Sequence, residues 1–275
     1  MTRAGKFLTL VLCAGPFFAG MLFAGVDDEW KDLCNQALRA TALKNFPLAE
    51  ITYAKALHEA EVFGGNDIRV ASTSLGMAAM YRAEKKIPEA ETAAHRAADI
   101  YAVRPGEDSL DYAQAEISLA AVLNDQGKYD PALLATRKAL PILEKNLGPD
   151  SITVADGICL QGDLDRELKL YASAEAPLKR CANLRLDDGG PTSPEFGEAA
   201  YGLGIVYQHL ARLGDSDKQF KIAEAIREVS LGTLSIELAE TLEAHASVLH
   251  EMGRDAEAKS KEKMAASIRA HAPKK

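Results

Sequence analysis

The sequence repeats itself every 42 residues, and this period constrains the fold more than any other feature of the 275-residue chain. Ala71, Ala113, Ala155, Gly197 and Ala239 fall in one column, and Met80, Val122, Leu164, Val206 and Val248 in a second. Ala90, Ala132, Ala174, Ser216 and Ala258 make a third, followed by Ala97, Ala139, Cys181, Ala223 and Ala265, then Ile100, Ile142, Leu184, Ile226 and Ile268. Every member is small or apolar. A unit of this length cannot cover its own apolar face, so the copies must stack and share one core.

Within each period the apolar spacing is three and four, as in Ile117, Ala120, Ala121 and Leu123, then Ala132, Ala135, Ala139 and Ile142. That is the helical period, and each unit reads as two amphipathic helices. Gly127 and Gly253 fall at the turn between helices, Asp130 and Pro131 supply an N-cap and a first-turn proline, and Gly148 and Gly232 close second helices. Pro141 lies inside a second helix and is expected to kink it. A further copy precedes these, from Trp30 to about Gly65, with Ala49 standing 41 residues before Ala90. The expectation is therefore six antiparallel helix pairs, all-α, with no linker between residues 28 and 270 and a frayed tail from Ala270 to Lys275. Aromatics at only 6% agree with closely packed helices rather than a sandwich or barrel.

The first residues read differently. Arg3 and Lys6 precede an uncharged run from Phe7 to Val26, and acid begins at Asp27. This is the grammar of a signal peptide over residues 1–25, leaving the array at 26–275 and placing the protein in the periplasm or outside the cell. An uncleaved membrane anchor and lipidation of Cys13 are the alternatives. The formal charge is −8, or −10 without Arg3 and Lys6, which argues against nucleic acid as a partner. Beyond Cys13 the cysteines are Cys34, Cys159 and Cys181, with no CxxC pair; an odd number argues against a disulfide scaffold, and they read as small apolar helix residues.

The stretch QGKYDPALLATRKALPILEKNLGPDSITVA, Gln126 to Ala155, closely resembles the 42-residue tetratricopeptide repeat of kinesin light chains. Gly127, Tyr129, Ala132 and Ala139 match that repeat's turn glycine, aromatic and packing alanines, and Gly148 to Asp150 its loop. Ser151 and Ile152 replace the His-Pro that usually follows, Lys169 stands at the turn of repeat four, and Gly214 is displaced from the turn of repeat five, so altered turns are expected in those copies. The resemblance implies a right-handed solenoid whose first helices line a concave groove holding peptides or partner proteins. The partner-binding positions it implies are Arg82, Asn124, Asp125, Asp163, Arg166, Glu167, Glu198, Tyr201, Gln208, His209, Glu240, Glu243, His250 and Glu251. With Asp156 added, the groove-facing positions carry eight carboxylates against two arginines. That surplus reads either as a preference for a basic partner or as the average of an acidic chain. The Lys and Asn arrangement that clamps a C-terminal carboxylate is absent.

No motif with a catalytic mechanism is present. The six histidines form no HExxH, and there is no GxSxG, no phosphate-cradling GxxxxGK[ST] and no dinucleotide-binding glycine pattern after a strand. Gly202 and Gly204 lie in a helical pattern, where close helix packing accounts for them. The sequence therefore implies no catalytic residue, metal or cofactor. It implies either an adaptor that holds a polypeptide in its groove, with Tyr201 as an aromatic anchor, or an architectural subunit of an envelope assembly that uses its outer face or its ends.

Overall fold

The computed structural model describes residues 28–272. Among the described residues there are twelve α-helices and no strand: α1 Asp28–Ala42, α2 Phe46–Glu61, α3 Ile68–Glu84, α4 Ile87–Tyr101, α5 Leu110–Asp125, α6 Tyr129–Leu147, α7 Ile152–Glu167, α8 Tyr171–Gly189, α9 Pro194–His209, α10 Leu213–Leu231, α11 Ile236–Glu251 and α12 Asp255–His271. Ile68, Leu110, Ile152, Pro194 and Ile236 open successive first helices at the 42-residue interval read from the sequence. The residues expected to be a signal peptide, anchor or lipidation site lie outside those described. No described helix is long and apolar enough to cross a membrane.

The period is fixed at both turns of each pair. Gly64, Gly106, Gly148, Gly190 and Gly232 all adopt positive φ before the next first helix. Three residues on, Asp67, Ser109, Ser151, Ser193 and Ser235 stand as N-caps. Most of these side chains accept from the backbone of the first turn, as Ser193 Oγ does from Phe196 N at 3.0 Å. The turn inside each pair is equally regular: Lys44, Lys85, Gly127, Lys169, Ala211 and Gly253 are all left-handed. Each is followed by the same bond back to the helix, from Leu170 N to Asp165 O at 2.7 Å, Arg212 N to Tyr207 O at 2.8 Å and Arg254 N to Leu249 O at 2.8 Å. The altered turns expected at Lys169 and in repeat five do not occur. Lys169 and Ala211 take the glycine conformation, because the helices they join must end at the same place in every copy.

The chain divides after Pro149 into two compact units. In the N-terminal unit, α1 to α6, buried Trp30, Cys34, Val70, Tyr101 and Tyr112 pack with the column alanines Ala71 and Ala97. Trp30 Nε1 donates to Thr73 Oγ1 at 2.9 Å, so its one polar atom is satisfied in the core. The helix α6 continues as a single helix through Pro141.

In the C-terminal unit, α7 to α12, the core is more uneven. Gly162 lies against Leu178 and Gly204 against Phe220; a Cβ on Gly204 would stand 2.8 Å from the Phe220 ring. At the corresponding places of the N-terminal unit sit Ala78 opposite Ala94 and Ala120 opposite Thr136. The larger side chain on the second helix is thus accommodated by removing one from the first. Cys159 of α7 and Cys181 of α8 form a disulfide, which corrects the reading of both as simple apolar residues; Cys34 is the free, buried thiol. Among the three cysteines of the described residues the odd one stays single while the other two join. The last helix, α12, runs on to His271, into the tail expected to fray.

Candidate functional site

Successive first helices touch within each unit, α1 with α3, α3 with α5, α7 with α9 and α9 with α11, more than the second helices do. The face carried by the first helices is therefore the inner one. On the N-terminal unit Arg82 Nε donates to Asp125 Oδ2 at 2.7 Å, pairing two of the expected partner-binding residues with each other. Asn124 is half-buried beside them.

On the C-terminal unit, side chains from three first helices converge on Tyr201 of α9. Arg166 of α7 lies near it, with its guanidinium 3.4 Å from Asp163 and 3.0 Å from Glu167. Glu198 of α9 and Glu240 of α11 bring two more carboxylates within range of the phenol.

The electrostatics of these groups have a common cause. Burial pushes the carboxyls of Asp163, Glu198 and Glu240 up, with Arg166 opposing it at Asp163 and Arg227 opposing it at Glu198 and Glu240. Burial raises the Tyr201 phenol as well. Yet 46% of the Asp163 side chain and 37% of that of Glu198 are accessible. Carboxylates that are accessible and still poorly solvated sit on a recessed surface, where surrounding protein displaces water without covering the group. Arg166 shows the balance from the other side: burial works against its charge, and Asp163 and Glu167 outweigh it, so its pKa is raised.

Residues beyond the expected groove positions complete the face. Arg185, Arg227 and Arg269, 42 residues apart on the second helices, reach through to first-helix carboxylates. Arg185 bonds Asp156, Arg227 Nη2 donates to Glu198 Oε1 at 2.8 Å, and Arg269 holds Glu243 through two bonds of 2.6 and 2.7 Å. The expected surplus of eight carboxylates over two arginines becomes eight against five. The signal is present in the sequence as a 42-residue column, Tyr101, Leu143, Arg185, Arg227 and Arg269, whose apolar members become arginine at the start of the C-terminal unit.

The remaining expected residues have local partners. Gln208 donates to Ser247 Oγ at 3.0 Å and to Glu251 at 2.5 Å, bridging α9 and α11. His209 stacks on Tyr171 with ring centroids 4.1 Å apart, and His250 lies between Asp255 and Glu262, whose hydrogen bonds raise its pKa. A second polar cluster carries no sequence signal of its own: His245 is fully buried on α11, its Nδ1 2.7 Å from Glu224 and its Nε2 2.8 Å from Asp217. Lys221 and Arg254 bond the same aspartate, and Lys261 bonds Glu224. Among the described residues no three metal-ligating side chains are gathered to hold an ion.

A sequence profile described as Tetratricopeptide repeat matches residues 69–145. No curated protein matches the sequence significantly. Among solved structures, PilW, a widely conserved type IV pilus biogenesis factor, is 19% identical with a TM-score of 0.65, over 90% of this chain and 94% of its own. A kinesin-light-chain protein of Podospora anserina with nearly identical TPR-like repeats is 15% identical with a TM-score of 0.60, over 74% of this chain and 96% of its own. YrrB, a TPR protein with an unusual peptide-binding site, is 16% identical with a TM-score of 0.54, over 80% of this chain and 93% of its own. At these identities the likeness is one of fold. The profile match over residues 69–145 and the helix pairs built alike in both units show a tetratricopeptide-repeat fold.

Proposed function

We propose that the protein is a non-catalytic adaptor, exported from the cytoplasm, that holds a polypeptide on the inner face of its C-terminal unit. The observation that carries this reading is the convergence of Asp163, Arg166, Glu198 and Glu240 from three consecutive first helices on a half-buried, accessible tyrosine. An aromatic with two rotatable angles offers large contact area at small entropy cost, and the poorly solvated carboxylates around it favour a cationic neighbour. The peptide-binding site of YrrB, a protein of the same fold, supports the reading. Export is supported by the N-terminal pattern and by the disulfide, since such bonds persist in oxidising compartments. The partner segment is basic, because carboxylates still outnumber arginines on this face after the second-helix arginines are included.

The test is capture of the partner from the native cell envelope, followed by measurement of its affinity at low and high salt. Changing Tyr201 to Ala should weaken binding at both salts, and changing Glu198, Glu240 and Glu243 together to Gln should flatten the salt dependence. A triple variant with unaltered affinity and salt dependence would show that the carboxylates are a solvated face and remove the basic-partner reading.

A second reading has one observation behind it. The outer side of α2 exposes Leu48 and Ile51 at 51% and 57%, beside Leu43 in the preceding turn, where later second helices carry Glu89, Pro131, Ser173, Asp215 and Glu257 in the first of these columns and Thr92, Leu134, Ala176, Lys218 and Ser260 in the other, so that α2 alone carries large aliphatic residues in both. This favours a structural role in an assembly through the outer face of the first pair. Changing Leu48 and Ile51 to Ser would abolish assembly on that reading and leave partner capture intact on the first.

A further inference from the structure

We propose that Arg227 is the positioning residue of this inner face, fixing Glu198 and Tyr201 together from behind in the orientation in which they meet a partner. The inference rests on the reading of the face as a binding surface and names the device that shapes it.

Arg227 is 4% exposed and reaches from α10 between α9 and α11. Its Nη2 donates to Glu198 Oε1 at 2.8 Å, and its Nη1 donates to Thr241 Oγ1 at 2.5 Å and to the Glu237 carbonyl at 2.9 Å. Its carbon centre lies 4.3 Å from the centroid of the Tyr201 ring. The far side of that arrangement is braced by Phe220, which meets Tyr201 edge to face at 5.9 Å. One planar guanidinium thus serves a carboxylate, a hydroxyl, a backbone carbonyl and an aromatic face at once. A fixed fork of five donors can do this, whereas an ammonium on a flexible stem has no plane to stack and no second direction fixed by the first.

The position of Arg227 is taken in the N-terminal unit by Tyr101 or Leu143, which are core residues, so the device belongs to the C-terminal copies. Arg185 repeats it toward Asp156 one pair earlier, and Arg269 toward Glu243 one pair later, but only Arg227 also stacks on an aromatic ring of the inner face. Burial pushes the Glu198 carboxyl up and Arg227 opposes that rise, so the arginine favours the charged form of the group.

The test uses the full chain with Arg227→Met and Arg227→Lys, and Arg185→Met as the control for loss of a buried arginine elsewhere on the unit. Side-chain carboxyl NMR follows the titration of Glu198, ring resonances follow Tyr201, and a fluorescein-labelled oligolysine peptide at low salt is the binding probe. In Arg227→Met, with helical circular dichroism retained, the Glu198 midpoint should move up, the Tyr201 resonances should shift, and the probe should bind about threefold more weakly. Arg227→Lys should leave the Glu198 midpoint nearer the wild type and still shift Tyr201, and Arg185→Met should move neither. A folded Arg227→Met protein in which both signals stay in place overturns the proposal. Should that variant fail to fold, unchanged Tyr201 resonances in Arg227→Lys overturn it equally. Absence of oligolysine binding by the wild type counts against the basic-partner reading alone, because the two spectroscopic signals decide the positioning role without any ligand.

Discussion

Ala211 holds a left-handed turn that Gly127 and Gly253 hold in other copies, with φ of 58° against 75° and 73°. An L-residue with a Cβ in this conformation costs about 1 kcal/mol relative to glycine, and the repeat imposes the conformation whichever residue is present. Ala211→Gly should therefore stabilise the protein by about 1 kcal/mol in chemical denaturation; a neutral or destabilising result would mean that the turn is free to adapt. Gly204 gives the opposite sign. Alanine would ordinarily favour a helix by about 1 kcal/mol. Here its Cβ would press on the buried Phe220 ring, so Gly204→Ala should destabilise by about 1 to 3 kcal/mol, and Phe220→Leu in the same chain should recover part of the loss. Both positions show what is legible in the sequence. The packing role of Gly204 can be read from its place in a helical pattern. The turn at Ala211 is hidden from any reading that uses glycine as the marker of the conformation, because the true marker is the column in which the residue stands.

Elements are legible wherever their signal is apolar and periodic. The six pairs follow from columns of Ala, Val and Ile, since a residue that packs identically in each copy recurs at a fixed interval. Polar partners recur too, Arg185 with Asp156 as Arg227 with Glu198, but no single column shows which residue meets which. Arg227 meets Glu198 across 29 residues and His245 meets Asp217 across 28, and which helix faces meet is decided by stacking that no single repeat contains. The arginine column is visible as a column, but its meaning depends on carboxylates carried by another element. The disulfide is the same case, joining a first-helix position that is Leu75, Ile117 and Tyr201 in other copies to a second-helix position otherwise occupied by alanine. It pins α7 to α8 across a separation of 22 residues, which by chain entropy is worth about 3 kcal/mol. Cys159→Ser with Cys181→Ser should lower stability by up to that amount without loss of helix content. A change below about 0.5 kcal/mol would show that the pair of helices is held by packing alone.

At the scale of the whole molecule the two units differ in what holds them, and that difference is measurable. Trp30, the only tryptophan of the chain, is buried in the N-terminal unit, so its fluorescence reports that unit, while far-ultraviolet circular dichroism reports every helix. The C-terminal unit carries the disulfide and the cluster around Asp217, which is 11% exposed. Burial alone would raise the Asp217 carboxyl, but hydrogen bonds from Lys221 and His245 and the charges of Lys221 and Arg254 outweigh it and hold it down at about 2. A carboxyl whose pKa is depressed on folding adds stability that is complete above its unfolded value near 4 and disappears as the pH falls toward 2, here about 2 kcal/mol. Glu175, Asp215, Glu243 and Glu257 of the same unit are depressed as well, by hydrogen bonds to Lys179 and Arg212, Arg212, Arg269 and Arg254, whereas among the described residues of the N-terminal unit the carboxyl held down in this way is Glu91, bonded by Lys128 and Gln126. Asp156, Asp163, Glu198 and Glu240 are raised by burial, so their protonation favours the folded state and takes no part in this loss. Stability in a repeat array is close to a sum of local terms and neighbour interfaces, so losses confined to one unit appear first in the signal that includes it. Between pH 4 and pH 2, and further with reductant present, the midpoint of denaturation followed by circular dichroism should fall more than the midpoint followed by Trp30 fluorescence. Asp217→Asn should reproduce part of the acid effect at neutral pH and reduce the remaining pH dependence. Coincident midpoints at every pH, with and without reductant, would show that the ion-pair cluster and the disulfide do not set the stability of the C-terminal unit.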